Sequence, residues 1–81
     1  MTSRELFEKK IKEIVFLSKK ANSPITNWKL YFHKRYYNGS TLRKNIWILI
    51  TSNIEIIGNR FDFERYLNNL ISDMKRMPNY F

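Results

Sequence analysis

The residues best suited to chemistry in this sequence are cations without accompanying acids. No aspartate or glutamate occurs between positions 14 and 54, and that interval carries seven basic side chains: Lys19, Lys20, Lys29, Lys34, Arg35, Arg43 and Lys44. Charges of one sign raise the local concentration of anions and speed their encounter with a protein. The pattern therefore predicts a polyanionic partner, and we expect nucleic acid, either RNA or DNA.

Aromatic side chains alternate with these cations. Bases of single-stranded nucleic acid stack on such rings with a gain of about 1 to 3 kcal/mol each, while lysine and arginine hold the backbone. The predicted nucleic-acid-binding residues are Lys19, Lys20, Lys29, Tyr31, Lys34, Arg35, Tyr37, Arg43, Lys44 and Trp47. The alternative is structural, because strands are rich in aromatic residues: Tyr31 or Trp47 would then pack against a helix or a second copy of the chain.

Catalytic and metal-binding patterns are not found in the sequence. His33 is the only histidine, the residue type that most often serves as a general acid or base, but its neighbours include Lys34 rather than an orienting carboxylate. With one histidine and no cysteine the chain lacks the ligands of a usual zinc site, and two glycines are too few for a phosphate-binding loop. We expect no metal, no cofactor and no enzyme activity.

The segment before the basic interval has the pattern of an amphipathic helix. Thr2 and Glu5 have the spacing of a capping box, in which each side chain satisfies a free N–H group at the helix start. Apolar or small side chains then recur at helical intervals, at Phe7, Ile11, Ile14, Val15, Ser18 and Ala21. Asn22-Ser23-Pro24 should stop this helix, since proline disfavours helical geometry in the residue before it.

A β-hairpin is predicted to follow. From Asn27 the apolar period changes to two, which indicates a strand over 28–37 with one apolar face and one basic, aromatic face. Asn38-Gly39 tolerates positive φ and is the strongest short-range hairpin signal. Residues 42–50, rich in isoleucine and containing a tryptophan, form the predicted return strand.

Two registers of this hairpin bring different side chains together. A two-residue loop of Asn38-Gly39 opposes Phe32 to Asn45. A three-residue loop, 38–40, opposes three apolar pairs: Trp28 with Ile50, Leu30 with Ile48 and Phe32 with Ile46. We favour the three-residue loop because it buries the isoleucines. It gathers a basic, aromatic set on the other face, made of Lys29, Tyr31, His33, Arg35, Arg43, Asn45 and Trp47, with Leu49 and Ile57 exposed beside it.

A short strand and a second helix complete the predicted elements. Thr51-Ser52-Asn53 can turn the chain into a third strand over 54–57, which Gly58-Asn59 ends. Asp62 is the expected N-cap of the last helix, with Phe61 packed against Tyr66 as a hydrophobic staple. Its apolar stripe consists of Phe63, Leu67, Leu70, Ile71, Met74 and Met77, and Pro78 closes it.

These elements predict an α+β fold: a helix, a three-stranded antiparallel sheet and a helix, with both helices on one face of the sheet. Double-stranded RNA-binding domains and small ribonuclease toxins have the same order of elements. The resemblance is topological, because Asp62 and Glu64 stand where such domains carry a basic cluster, and the Gly-Ser-His motif of the toxins is missing. It implies the fold and leaves the function open.

Composition limits the remaining choices. The chain has 81 residues, a net charge of +8 and 43% hydrophobic residues, which predicts one folded domain over 1–81. The absence of cysteine and of a long apolar run favours a cytoplasmic protein without a membrane span.

We therefore expect a small nucleic-acid-binding module that uses its basic, aromatic hairpin. The first alternative is a phage or mobile-element accessory protein, an interaction or inhibitor module that binds an acidic host protein or nucleoprotein. A minimal ribonuclease that uses His33 is the second alternative. Apolar residues beside the charges also allow a homodimer through the exposed face of the sheet.

Overall fold

Two helices cover one face of a three-stranded sheet. The computed structural model describes residues 2–20 and 24–76. The elements are α1 (Ser3–Ser18), β1 (Trp28–Asn38), β2 (Thr41–Thr51), β3 (Glu55–Gly58) and α2 (Arg60–Arg76). The strands are antiparallel and lie in the order β1-β2-β3. The predicted α+β class and order of elements are therefore confirmed. Among the described residues, no helix has both the length and the apolar character that crossing a membrane requires.

Helix α1 begins as predicted and ends earlier. Glu5 N–H donates to Thr2 Oγ1 over 3.2 Å, and Thr2 N–H donates to Glu5 Oε1 over 3.4 Å, which completes the capping box. The last helical residue is Ser18, whose hydroxyl donates to the Val15 carbonyl over 2.7 Å and accepts from Ile25 N–H over 3.0 Å. Ser18 therefore links the end of α1 to the segment that precedes β1. Of the predicted helix end, Ala21, Asn22 and Ser23 lie outside the described residues.

The hairpin has neither of the two registers predicted from the sequence. Asn38 faces Thr41, so the loop is Gly39-Ser40, and Gly39 has the positive φ of 64° that such tight turns require. Phe32 therefore faces Trp47. Relative to the favoured register, β2 is shifted by one residue, which moves every one of its side chains to the other face.

The shift places the large aromatic residue of β2 under the helices. Trp47 and Leu49 join the core with Phe7 and Phe63, and Leu49 is 0% exposed rather than exposed as expected. The isoleucines of β2 lie on the opposite face, and among the described residues none of them belongs to the core cluster that includes both helices. We call that surface the open face: it carries Lys29, Tyr31, His33, Ile46, Ile48, Ile50, Glu55 and Ile57.

Helix α2 starts at Arg60, two residues before the cap predicted at Asp62. Asn59 is the residue before the helix, and its Oδ1 accepts from Asp62 N–H over 2.9 Å while its Nδ2 donates to Asp62 Oδ2 over 3.3 Å. Asp62 is therefore inside the helix. The predicted staple is also wrong, because Phe61 lies in the first helical turn and is 79% exposed. The end predicted at Met77 and Pro78 falls outside the described residues.

The core is built between the helices and the covered face of the sheet. It contains the buried stripe of α1, the predicted stripe of α2 through Met74, and Ile25 from the segment before β1. Two polar contacts tie the helices together at the surface. Lys10 Nζ donates to Asn68 Oδ1 over 2.7 Å, and Lys75 pairs with Glu13 over 3.2 Å. The sheet is thus left with one covered face and one open face.

Candidate nucleic-acid interface

The outer half of the hairpin extends beyond the third strand. β3 pairs only with the segment Trp47 to Ile50 of β2, so residues 34–45 form a ribbon of two strands. We call these residues the basic arm. At about 3.3 Å per residue each of its strands reaches roughly 17 Å past the three-stranded sheet. Apart from the half-buried Tyr36, every residue of the arm is exposed.

The arm carries four cations and no acid: Lys34, Arg35, Arg43 and Lys44. The ladder sets Arg35 directly opposite Lys44. Like charges directly opposite each other in a sheet are destabilising. The ion pairs of the described residues join Asp62, Asp73 and Glu13 to cations of α2, and none includes the arm. The arm therefore presents uncompensated positive charge at the expense of its own stability.

Aromatic rings continue from the arm onto the open face. The ring of His33 lies 6.4 Å from that of Tyr31 and 6.0 Å from that of Tyr36, measured between centroids. Tyr37, on the arm, is exposed and faces the exposed Leu42. Tyr36 is absent from the predicted site although it lies between charged and aromatic neighbours. Its ring lies near that of His33, three positions away, whereas strict two-residue alternation predicts that the two side chains point to opposite faces.

Trp47 is placed differently from the prediction. It is 8% exposed, and its ring lies 4.9 Å from that of Phe7 and 4.7 Å from that of Phe32. The Arg4 guanidinium sits over the same ring at 5.4 Å from its centroid. The expectation that Trp47 lies with the exposed cations is therefore wrong, because the register of β2 turns the residue toward the helices.

The remaining predicted residues divide between two further places. Lys29 and Tyr31 lie on the open face. Lys19 and Lys20 are exposed at the far end of α1, where Lys19 Nζ lies 5.7 Å from the centroid of the Phe16 ring. The first residue of α1, Ser3, lines the same cavity as Lys44 of the arm. A helix of this length is roughly 24 Å long, so the two lysines are far from the arm. The structure thus brings together Lys34, Arg35, Tyr37, Arg43 and Lys44.

The open face offers little apolar surface to a second copy of the chain. Ile46 and Ile48 of the central strand are buried, although within the described part of the chain they do not belong to the core cluster. Tyr31 and Ile57 flank Ile48 on the neighbouring strands. Ile50, in contrast, is 43% exposed. A homodimer through this face stays a prediction.

Comparison of the chain with protein-family models, with curated proteins and with solved structures found no match.

Proposed function

We propose that this chain is a nucleic-acid-binding module whose main contact is the basic arm. The observation that carries the proposal is the pairing of Arg35 with Lys44 at the centre of a four-cation ribbon that contains no acid. Phosphates between these side chains would replace repulsion with attraction. Binding of a polyanion would therefore relieve the repulsion between Arg35 and Lys44 that destabilises the free protein.

The shape of the arm supports the same partner. The two strands of a ribbon lie about 4.8 Å apart, and the major groove of B-form DNA, about 12 Å wide, admits a two-stranded ribbon with its side chains. Tyr37 supplies an exposed ring for stacking on an unpaired base. The arm thus suits phosphate contacts with a duplex as well as with a single strand.

A protein partner is the alternative, and the tip of the arm favours it. Tyr37 and Leu42 are exposed and face each other, so they form a small apolar patch among the cations. Such a patch would fit an acidic protein that also buries apolar surface. An accessory protein that binds an acidic host protein would use the arm in this way.

The test is binding of fluorescently labelled single- and double-stranded DNA and RNA, measured by anisotropy over a series of salt concentrations. Arg43→Ala and Lys34→Ala should each weaken binding and lower the salt slope by about 0.7 to 0.9, the value for one phosphate contact. Lys12→Ala is the control, because Lys12 is also an exposed cation but lies on α1.

The outcomes separate the two partners. Equal losses in the arm variants and in Lys12→Ala would show a general charge effect and contradict the arm as the interface. If no salt-sensitive binding is found, the nucleic-acid proposal fails. An acidic protein that stays bound to the chain after nuclease treatment, and is lost from a Tyr37→Ala variant, would then identify the alternative.

A further inference from the structure

A cavity of about 520 Å³ opens at the base of the basic arm, on the side of the sheet that the helices cover. It lies where the start of α1, the strands β1 and β2, and the start of α2 meet. Its volume falls within the range of about 300 to 1,000 Å³ that is usual for ligand pockets. Lys44 belongs both to the arm and to the lining of the cavity. A nucleic-acid strand bound along the arm would therefore pass the opening of the cavity.

Aromatic rings form much of the wall. Phe32, Trp47 and Phe61 line the cavity. Phe61 is 79% exposed and Phe32 is 38% exposed, so two large apolar side chains face solvent at one place. Single exposed apolar residues are common, but exposed aromatic residues that share a concave site are typical of ligand binding.

Cations and an amide complete the lining. Lys44 and Arg60 are exposed and enter none of the ion pairs found among the described residues. The Asn45 side chain also has no hydrogen-bond partner within the described part of the chain, so its amide can both donate and accept. Asn45 adopts a φ of 55°, in the left-handed region. The nearby acid, Asp62, is neutralised by Arg65 over 3.0 Å.

We propose that this cavity binds one unpaired nucleotide of the strand that the arm holds. The base stacks on the rings of Phe61 and Phe32, and its edge meets the Asn45 amide. The flanking phosphate lies between Lys44 and Arg60. This inference rests on the proposed function and adds to it a preference for nucleic acid with an unpaired base.

The experiment uses a labelled single strand and the same strand in which every base is removed, so that the phosphates are unchanged. Wild-type protein should bind the abasic strand at least about 5-fold more weakly, the lower end of the range for one stacked base, because the strand has lost the base in the cavity and any base that stacks on Tyr37. Phe61→Ala should bind the intact strand more weakly and should distinguish the two strands less than the wild type does, because only Phe32 and Tyr37 are left for stacking.

Phe16→Ala is the matched control, because Phe16 is an equally large exposed ring, 66% exposed, on α1. It should bind both strands as the wild type does. Since Phe61 and Phe16 are both exposed, both variants should keep the circular dichroism spectrum of the wild type. If Phe61→Ala binds the intact strand like the wild type, or if the wild type binds both strands equally, the nucleotide pocket is overturned while the arm remains the interface.

A titration with adenosine monophosphate tests the cavity without a longer strand bound along the arm. The nucleotide should shift the NMR signals of the Trp47 indole N–H and the Asn45 amide, and Phe61→Ala should abolish the shifts. If the nucleotide causes these shifts but the wild-type protein binds no oligonucleotide, the proposed function is contradicted and the cavity still binds a nucleotide. If the nucleotide causes no shift, the nucleotide pocket is overturned. If only an acidic, tyrosine-containing peptide causes the shifts, the cavity binds a protein ligand instead.

Discussion

The ring of Phe7 meets the indole of Trp47 edge-on, with centroids 4.9 Å apart and planes inclined at 81°. Phe63 of α2 lies 4.8 Å from the same Phe7 ring, so the three rings join both helices to the central strand. Arg4 covers the indole and donates to the Leu30 carbonyl over 3.3 Å, which adds β1 to the contact. Trp47 is therefore a structural residue with one edge at the cavity.

Trp47→Ala should destabilise the fold. Removing a large core aromatic residue costs about 3 to 5 kcal/mol, which is much of the stability of a domain this small. Urea denaturation followed by circular dichroism measures the loss, and Trp47→Phe should lose less. Trp28→Phe, at a partly buried ring on the same sheet, is the comparison. A fully stable Trp47→Ala protein would contradict the placement of this ring in the core.

Ser18→Ala should also lower the free energy of unfolding. The Ser18 hydroxyl is 0% exposed and accepts the hydrogen bond of Ile25 N–H, so the substitution leaves a buried donor without an acceptor. The expected cost is about 1 to 3 kcal/mol. Ser52→Ala, at an exposed position between β2 and β3, should change stability little. Equal denaturation midpoints for the two variants would argue against the Ser18 link.

The backbone of Asn45 allows a test with two substitutions. Its φ of 55° is unfavourable for most residues and accessible to glycine. Asn45→Ala should therefore destabilise the chain by about 1 kcal/mol, while Asn45→Gly should be as stable as the wild type or nearly so. Thermal unfolding of both variants measures this difference. The reverse order would show that the strand does not adopt the left-handed conformation at this residue.

Arg35→Gln should separate stability from binding. Removing this charge relieves its repulsion with Lys44 and should stabilise the hairpin by about 0.2 to 1 kcal/mol, while nucleic-acid affinity falls. Arg43→Gln should weaken binding without stabilising the hairpin, because Arg43 lies opposite Tyr36 rather than another cation. Chemical denaturation and anisotropy measure the two effects. If Arg35→Gln were the less stable protein, the repulsion would not be significant in solution.

A pair of cysteines can verify the register of the arm. Opposed residues of antiparallel strands have Cα atoms about 4.5 to 5.5 Å apart, within the range that a disulfide spans. Tyr37 faces Leu42, so Tyr37→Cys combined with Leu42→Cys should form an intramolecular disulfide in air. Tyr37→Cys with Thr41→Cys, the pair opposed by a three-residue loop, should stay reduced. Thiol titration and mass spectrometry distinguish the products, and oxidation of the second pair alone would contradict the observed register.

The local elements could be predicted because their signals are local. The capping box of Thr2 and Glu5, the change of period at Trp28 and the Asn38-Gly39 turn depend on neighbouring residues. For this reason β1 and β2 lie within one residue of their predicted ends. The start of α2 was less predictable, because Asn59 and Asp62 are both good caps. In the structure Asn59 is the cap, since its Oδ1 accepts from Asp62 N–H. Gly58 packs so closely on the helix that an added Cβ would lie 3.3 Å from Phe63 N.

The sequence by itself determined the order of the elements and the separation of acids from cations, since both follow from the residues in each segment. Only the tertiary structure decided which face of β2 is covered. Five consecutive apolar residues, 46–50, have no alternation that could assign a face. Side-chain packing determines which face of β2 is covered, because Trp47 fits among Phe7, Phe32 and Phe63. That single register removed Trp47 from the exposed cations, opposed Arg35 to Lys44 and shaped the cavity at the base of the arm.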